Sequence, residues 1–314
     1  MAPLIEVKGL TKHYHSARHA QLALESINLS IGQGQLYGII GPDGAGKTTL
    51  IRILATVIKQ TAGEVELAGF ELNGQVEQIR SRLGYMPQVF SLYPDLTVME
   101  NLRFFAHING VGAKVQNARI EKLLEFAGLA DFSDRRGRNL SGGMQKKLAL
   151  ACALIHEPEI LLLDEPTTGV DPISRRQLWH LLGKVIQQGK TVLVSTPYME
   201  EADRCTSISI LDKGMILVSG APQYLAQQMP FQMIEVKASP RGLLRQIIGQ
   251  MEGILDWRAV GDRVRLSVSD PAAIHNNLRR ELTEAGATIS ILRETRTQME
   301  DVFIYLVEQQ GKKS

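Results

Sequence analysis

From Leu36 to Leu54 the chain reads LYGIIGPDGAGKTTLIRIL. An apolar run gives way to a glycine-rich loop and then to apolar residues at helical spacing, so a buried strand, a tight loop and a helix follow one another without a break. The loop GPDGAGKT, Gly41 to Thr48, fits G-x-x-x-x-G-K-[ST] in the strand-to-helix setting that the pattern requires. Its glycines let backbone N–H groups close around phosphate oxygens, and the helix start adds positive potential; Lys47 reaches terminal phosphates and Thr48 can hold magnesium. The plainer alternative, a glycine turn between strand and helix, explains neither the lysine nor the threonine.

Two further stretches extend this chemistry. EILLLDEP, Glu159 to Pro166, is an apolar strand whose carboxyl end delivers Asp164, placed to orient magnesium, and Glu165, placed to polarise a water. LSGGMQ, Leu140 to Gln145, sets a serine and two glycines at a helix start and forms a second anion-binding surface. A single nucleotide has no obvious need of two such surfaces. The pair makes sense if Ser141, Gly142 and Gly143 close over the nucleotide of a second molecule.

Residues 1 to about 225 alternate short apolar strands with helical patterns and predict an α/β domain with a largely parallel sheet. Within it, about 98–156 reads mainly as helix, in VMENLRFFAHI, NARIEKLLEFAGL and GGMQKKLALACALI. From about 231 to 310 the order is β, α, β, β, α, β, α. Its first six elements match the split βαβ of ferredoxin-like α+β folds, with Gly261-Asp262 as a hairpin turn. That segment holds no catalytic cluster, and the closing GKKS reads as a frayed end.

With 314 residues, 44% of them apolar, the chain can build one large domain and a small one. A net charge of +2, from 35 basic and 33 acidic residues, gives no case for nucleic acid as a partner. The largest basic cluster, Arg135, Arg136 and Arg138, reads as a solvated face. Cys152 and Cys205 offer neither metal spacing nor a disulfide framework and read as core thiols in a reducing compartment. No apolar run approaches the roughly 20 residues of a membrane span, and no N-terminal apolar leader appears, so a soluble chain is expected, with any membrane role supplied by a partner.

With these motifs in order, residues 1 to about 225 resemble the ATP-binding subunits of ABC transporters, a P-loop ABC ATPase core of the α/β class. The resemblance makes GPDGAGKT the Walker A loop, so that Gly41, Pro42, Asp43, Gly44, Ala45, Gly46, Lys47, Thr48 and Thr49 would contact ATP. It makes Gln88 in GYMPQ the Q-loop glutamine, close to Mg2+ and the reacting water, and ILLLDE the Walker B strand bearing Asp164 and Glu165. Asp171 in TTGVDP becomes the D-loop aspartate, and LSGGMQ the signature, with Gln145 beside Ser141, Gly142 and Gly143. Tyr14 in LTKHY matches the aromatic that stacks on adenine.

The tail QMEDVFIYLV resembles the C-terminal extension of drug-exporter and ABC-2-type subunits, and GPDGAGKTT resembles the N-terminal half of tandem bacterial exporter ATPases. The resemblance implies an ATP-hydrolysing motor subunit, peripheral at the cytoplasmic face of the inner (plasma) membrane. It would pair with transmembrane permease subunits and with a second ABC ATPase or itself as a dimer. In VFSLYPDLTV, the apolar Val89, Phe90, Leu92 and Leu96 fit two readings: core of the helical subdomain, or the surface that receives a coupling helix of the permease. A soluble or regulatory ABC ATPase is the alternative function. The absence of a long coiled-coil insertion and the single cassette tell against the soluble chromosome- and translation-type members, whereas Pro197 keeps a regulatory, catalytically silent module open.

Two departures from the family pattern stand out. Asp43 occupies a position where most members have asparagine, which brings a negative charge near the phosphates. In TVLVSTPYMEEADRC, Thr191 to Cys205, a buried strand leads into a helix with Thr196 as N-cap and Pro197 in the first turn. By resemblance Pro197 stands where the family carries its switch histidine. Tyr198 is adjacent but should leave the helix start in another direction, and His13, His15, His107, His156 and His180 lie in other segments. A site built on this chain's own loop is therefore expected to be degenerate, which favours a histidine-bearing ATPase as the second subunit.

Overall fold

The computed structural model describes residues 3–15, 20–89 and 92–311; Phe90, the side chain of His15 and residues 312–314 of the tail lie outside the described part. Two long strands open the chain, β1 (Ile5–His15) and β2 (Ala20–Ile31), followed by β3 (Leu36–Ile40) and α1 (Lys47–Leu54). Next come β4 (Ala62–Leu67), the two-residue β5 (Phe70–Glu71), α2 (Val76–Arg80) and β6 (Leu83–Met86). Three helices form the helical subdomain: α3 (Val98–Ile108), α4 (Ala113–Ala127) and α5 (Gly142–Leu154). The chain then returns through β7 (Ile160–Asp164), α6 (Pro172–Gln187), β8 (Thr191–Thr196), β9 (Ser207–Asp212), β10 (Met215–Gly220) and α7 (Pro222–Gln227).

Every residue of β3, β7 and β8 is buried, as continuous apolar strand runs require. They form the centre of a six-stranded sheet, order β10-β9-β3-β8-β7-β6, parallel except where β10 returns beside β9. The register pairs Ile40 with Thr196 and Asp164 with Ser195. Gly41, Glu165 and Pro197 therefore leave the sheet side by side at the carboxyl ends of adjacent strands, where open α/β sheets bind ligands.

A second sheet, order β2-β1-β4-β5, is antiparallel throughout. The sequence pattern does not separate it from the parallel sheet, because three register irregularities between β1 and β2 break the period-two alternation. The helical subdomain has its own core, in which Val98, Leu102, Leu124, Leu148 and Cys152 pack together. Thr97 and Glu100 close a reciprocal capping box at the start of α3.

The chain divides into two compact units, Met1–Pro222 and Gln223–Ser314. The second holds β11 (Gln232–Ser239), α8 (Arg241–Ile248), β12 (Ile254–Val260), β13 (Arg263–Val268), α9 (Pro271–Glu284), β14 (Thr288–Thr295) and α10 (Met299–Gly311). Its antiparallel sheet runs β12-β13-β11-β14, the ferredoxin-like order. The two-residue turn Gly261-Asp262 joins Val260 to its partner Arg263, and Gly261 takes the left-handed φ of +61° that such a turn needs. Ile234, Val236, Leu266 and Val268 pack one face of this sheet onto Leu244 of α8 and Leu278 of α9.

Candidate functional site

The loop after β3 is shaped by close backbone approach. A Cβ on Gly41 would sit 2.0 Å from the Leu211 carbonyl oxygen, and one on Gly46, at φ +107°, would sit 2.7 Å from the Ala23 carbonyl oxygen. Only glycine fits either position. No side chain caps α1 at Gly46 and its first turn carries no acid, so the positive helix end stays open. Asp43 is exposed at the loop tip.

Lys47 folds back under this loop and is buried, with Nζ donating to the carbonyl oxygens of Gly41 and Pro42 at 2.9 Å each. It also pairs with Glu165 Oε1 at 3.3 Å. Glu165 sits at φ +47°, a left-handed conformation that turns its side chain out of the strand direction at the end of β7. Its backbone N–H donates to Ser195 Oγ at 3.0 Å, and its Oε2 accepts from Gln88 Nε2 at 2.8 Å and Thr168 Oγ1 at 3.2 Å. The backbone of Gln88 is held in turn, since Lys146 Nζ donates to its carbonyl oxygen at 2.9 Å. Burial pulls the Lys146 ammonium below the usual lysine range, against the opposing fields of Asp164 and Glu165.

Asp164 is fully buried. Its Oδ1 accepts from Ser195 Oγ at 2.8 Å and Thr48 Oγ1 at 3.0 Å, while its Oδ2 has no partner among the described residues. Burial raises its carboxyl above the usual range, and the hydrogen bonds from Ser195 and Thr48 act in the other direction. A buried carboxylate oxygen left unpaired beside a threonine hydroxyl is an arrangement that a hard cation completes.

Other expected residues take places around this cluster. Tyr14, at the end of β1, brings its hydroxyl to 3.4 Å from Thr49 Oγ1 and leaves its ring 40% exposed beside α1. Asp171 caps α6, accepting from the N–H groups of Ile173 and Ser174. Ser141 caps α5 by accepting from Met144 N–H, and Gln145 donates to the Gly137 carbonyl. Gly143 lies so close to α6 that a Cβ there would fall 2.1 Å from Ser174 Oγ. Among the described residues no hydrogen bond joins Ser141, Gly142 or Gly143 to the cluster around Lys47. The apolar run after Gln88 divides: Leu92 is core, Leu96 is half-buried and Val89 is 70% exposed.

The stretch after β8 departs from expectation. No α-helix starts at Pro197; β8 runs through Thr196, and a 3-10 helix spans Met199–Arg204 with Tyr198 at its N-cap. The physical reason is Glu201, which is drawn inside the protein instead of lying at an exposed helix start. It is buried and accepts from Thr196 Oγ1 at 2.6 Å, Thr167 Oγ1 at 3.1 Å and Trp179 Nε1 at 3.0 Å. With its hydroxyl committed to Glu201 and to Tyr198 N–H, Thr196 is not a helix cap. The Tyr198 ring lies under the Arg175 guanidinium, 4.2 Å from its centroid. In sequence Glu200 and Glu201 read together as acids near the positive end of a helix starting at Pro197, and nothing local distinguishes the buried Glu201 from its neighbour.

A glycine loop between a central parallel strand and a helix, with Lys47 and Thr48 facing Asp164 and Glu165, defines a P-loop nucleotide-binding fold. The ABC transporter family model matches residues 24–168. The Nod factor export ATP-binding protein I of Ralstonia nicotianae is 34% identical over 97% of this chain and 94% of its own length. The chain therefore belongs to the ABC transporter ATP-binding proteins. A probable multidrug ABC transporter ATP-binding protein of Escherichia coli, YbhF, is 38% identical over 97% of this chain, which spans only 52% of that relative. Among solved structures, the dimeric post-hydrolysis ATP-binding cassette MJ0796, bound to ADP and Pi, aligns with TM-score 0.65 and 31% identity over 69% of this chain and 98% of its own.

Proposed function

We propose that this chain binds ATP and hydrolyses it as the motor subunit of an ABC-type membrane transporter, working as a dimer. The observation that carries the reading is the division of the site: Lys47, Thr48, Gln88, Asp164 and Glu165 form one connected cluster, while the signature residues of the same chain stand apart from it at the start of α5. A second cassette facing the first would supply its signature surface to the open phosphate loop. In that arrangement Lys47 exchanges its two carbonyl partners for phosphate oxygens, and Glu165, held by Gln88 and Thr168, accepts a proton from the attacking water. Thr48, Asp164 and Gln88 would hold Mg2+, which when bound neutralises phosphate charge. The ring of Tyr14 would stack on adenine.

The names of the relatives support an exporter, and the exposed Val89 beside Gln88 suits contact with a permease. No helix among the described residues is long and apolar enough to cross a membrane. In this reading the permease is a separate partner and this chain is peripheral at the cytoplasmic face. Pro197 supports a second reading, in which this chain's own site holds ATP and the efficient site lies on a histidine-bearing partner. The test is Glu165→Gln with ATP and Mg2+ in size-exclusion chromatography. We expect ATP affinity to persist and the dimer fraction to rise; a variant that binds ATP yet stays monomeric, under conditions where the intact pair dimerises, overturns the sandwich mechanism.

A further inference from the structure

The helix that begins at the signature reaches into the cluster around Glu165. At its far end α5 packs on β6 so closely that a Cβ on Gly84 would fall 2.4 Å from the Ala153 carbonyl oxygen. About two turns nearer its start, Lys146 Nζ donates to the Gln88 carbonyl at 2.9 Å, and Gln88 Nε2 donates in turn to Glu165 Oε2 at 2.8 Å. A path of two hydrogen bonds therefore runs from the helical subdomain to the carboxylate at the end of β7, whose other oxygen meets Lys47 at 3.3 Å.

Gln88 has little else to hold it. It lies two residues beyond β6 in irregular backbone, followed by the exposed Val89. Among the described residues no other hydrogen bond reaches its backbone. Met86, Pro87 and Val89 line a hollow of about 160 Å³ together with Gly142, Lys146 and Ala149, so packing alone leaves this segment room to shift. The plainer reading makes Lys146 the satisfier of one loop carbonyl. A neutral donor or a water would do that without drawing an ammonium out of solvent. Asp164 and Glu165 supply the compensating charge, since their fields favour the Lys146 ammonium against burial. The lysine is thus matched to the charged cluster as well as to the carbonyl.

We propose that Lys146 is a positioning residue for ATP hydrolysis, fixing Gln88 so that its amide sets the Glu165 carboxylate for the attacking water; this rests on the function proposed above. Lys146 lies about one turn behind Ser141, Gly142 and Gly143, so the seating of the signature helix sets the carboxylate of the same chain. Its loss leaves the phosphate loop and Tyr14 untouched. The expected cost therefore falls on the chemical step and not on ATP binding.

The experiment compares the full parent chain with Lys146→Met, Lys146→Arg and a control, Lys147→Met, whose Nζ reaches Gln177 on α6 instead. Phosphate release is measured at saturating ATP and Mg2+, with ATP affinity by calorimetry. We expect Lys146→Met to lower kcat about 10–100-fold with KM and ATP affinity within about threefold of the parent, Lys146→Arg to recover most of that loss, and Lys147→Met to match the parent. In a Gln88→Ala background Lys146→Met should cost less than about twofold, because it acts through Gln88. In the nucleotide-free protein, amide hydrogen exchange at Gln88 and Val89 should quicken in Lys146→Met while β6 stays protected. A parent that hydrolyses ATP while Lys146→Met keeps kcat within about threefold, an equal loss with and without Gln88, or unchanged exchange at Gln88 and Val89 would each overturn the role of Lys146 and leave the proposed function standing. A parent with no ATPase activity tells against the proposed function instead, and the exchange measurement then decides the clamp.

Discussion

Glu201→Ala is expected to destabilise the first unit severely, although Glu201 belongs to none of the nucleotide motifs. The carboxylate is buried and accepts three hydrogen bonds, from Thr167, Thr196 and Trp179, with Arg175 Nε a further 3.9 Å away. Hydrogen bonds to a charged group are worth about 1.5–3 kcal/mol each, and a buried donor left unpaired loses its full solvation. The two threonine hydroxyls can rotate toward other acceptors, whereas the indole N–H is fixed by its ring. Counting the indole in full and the hydroxyls in part gives a loss of about 3–5 kcal/mol, a large share of the roughly 5–15 kcal/mol that holds a typical domain.

Glu201→Gln preserves shape and one acceptor oxygen and should cost about 1–3 kcal/mol. The assay is urea unfolding followed by tryptophan emission in a Trp257→Phe background, which leaves Trp179, in direct contact with Glu201, as the reporter. A Trp179→Phe partner variant closes a double-mutant cycle. A loss below about 1 kcal/mol for Glu201→Ala, or additivity with Trp179→Phe within about 0.5 kcal/mol, would refute the claim that this carboxylate ties β8 to the segment after Glu165 and to α6.

Three further outcomes are expected. Burial raises the Asp164 carboxyl, so the fold favours its protonated form: the cost of its charge is absent below the ordinary carboxylate range and grows as pH rises through the raised value. Asp164→Asn should accordingly raise the urea midpoint of the nucleotide-free protein at neutral pH, by about 1 kcal/mol in stability, while abolishing any Mg2+-dependent gain in ATP affinity; a stability difference between parent and variant that is the same at pH 4 and pH 8 would contradict this. Gly143→Ala should cost about 1–3 kcal/mol, because the new methyl meets Ser174 Oγ and Cβ at 2.1 and 2.4 Å, and Ser174→Gly should recover most of that loss in a chemical-denaturation cycle. Pro197→His should raise the ATPase rate of the purified chain by up to about 10²–10⁴ if the residue limits chemistry, measured by phosphate release, and a chain already as fast as the mixed pair would remove the case for an asymmetric site.

The P-loop unit was legible because its information is local. The spacing of LYGIIGPDGAGKTTLIRIL encodes strand, loop and helix within a few residues. The ferredoxin-like order of the second unit was legible for the same reason, including the Gly261-Asp262 turn. The antiparallel sheet of β1 and β2 was not, since its bulges erase the alternation on which such a reading depends.

Sequence alone determined which residue types were available for phosphate and cation chemistry, in what order, and that Pro197 can supply no proton. It also set the element order of the second unit. Only the tertiary structure decided which of those residues meet: the strand register put Asp164 beside Ser195, and residues as far apart as Gln88 and Glu165 came within 2.8 Å. The same holds for Glu201, whose partners lie 34, 22 and 5 positions away, and for Lys146, which reaches the Gln88 carbonyl across 58 positions. Local patterns state what a short segment prefers. Hydrogen-bond partners and cavities are set by the packing of segments distant in the chain, where satisfying buried polar groups can override local preference, as Glu201 does at the end of β8.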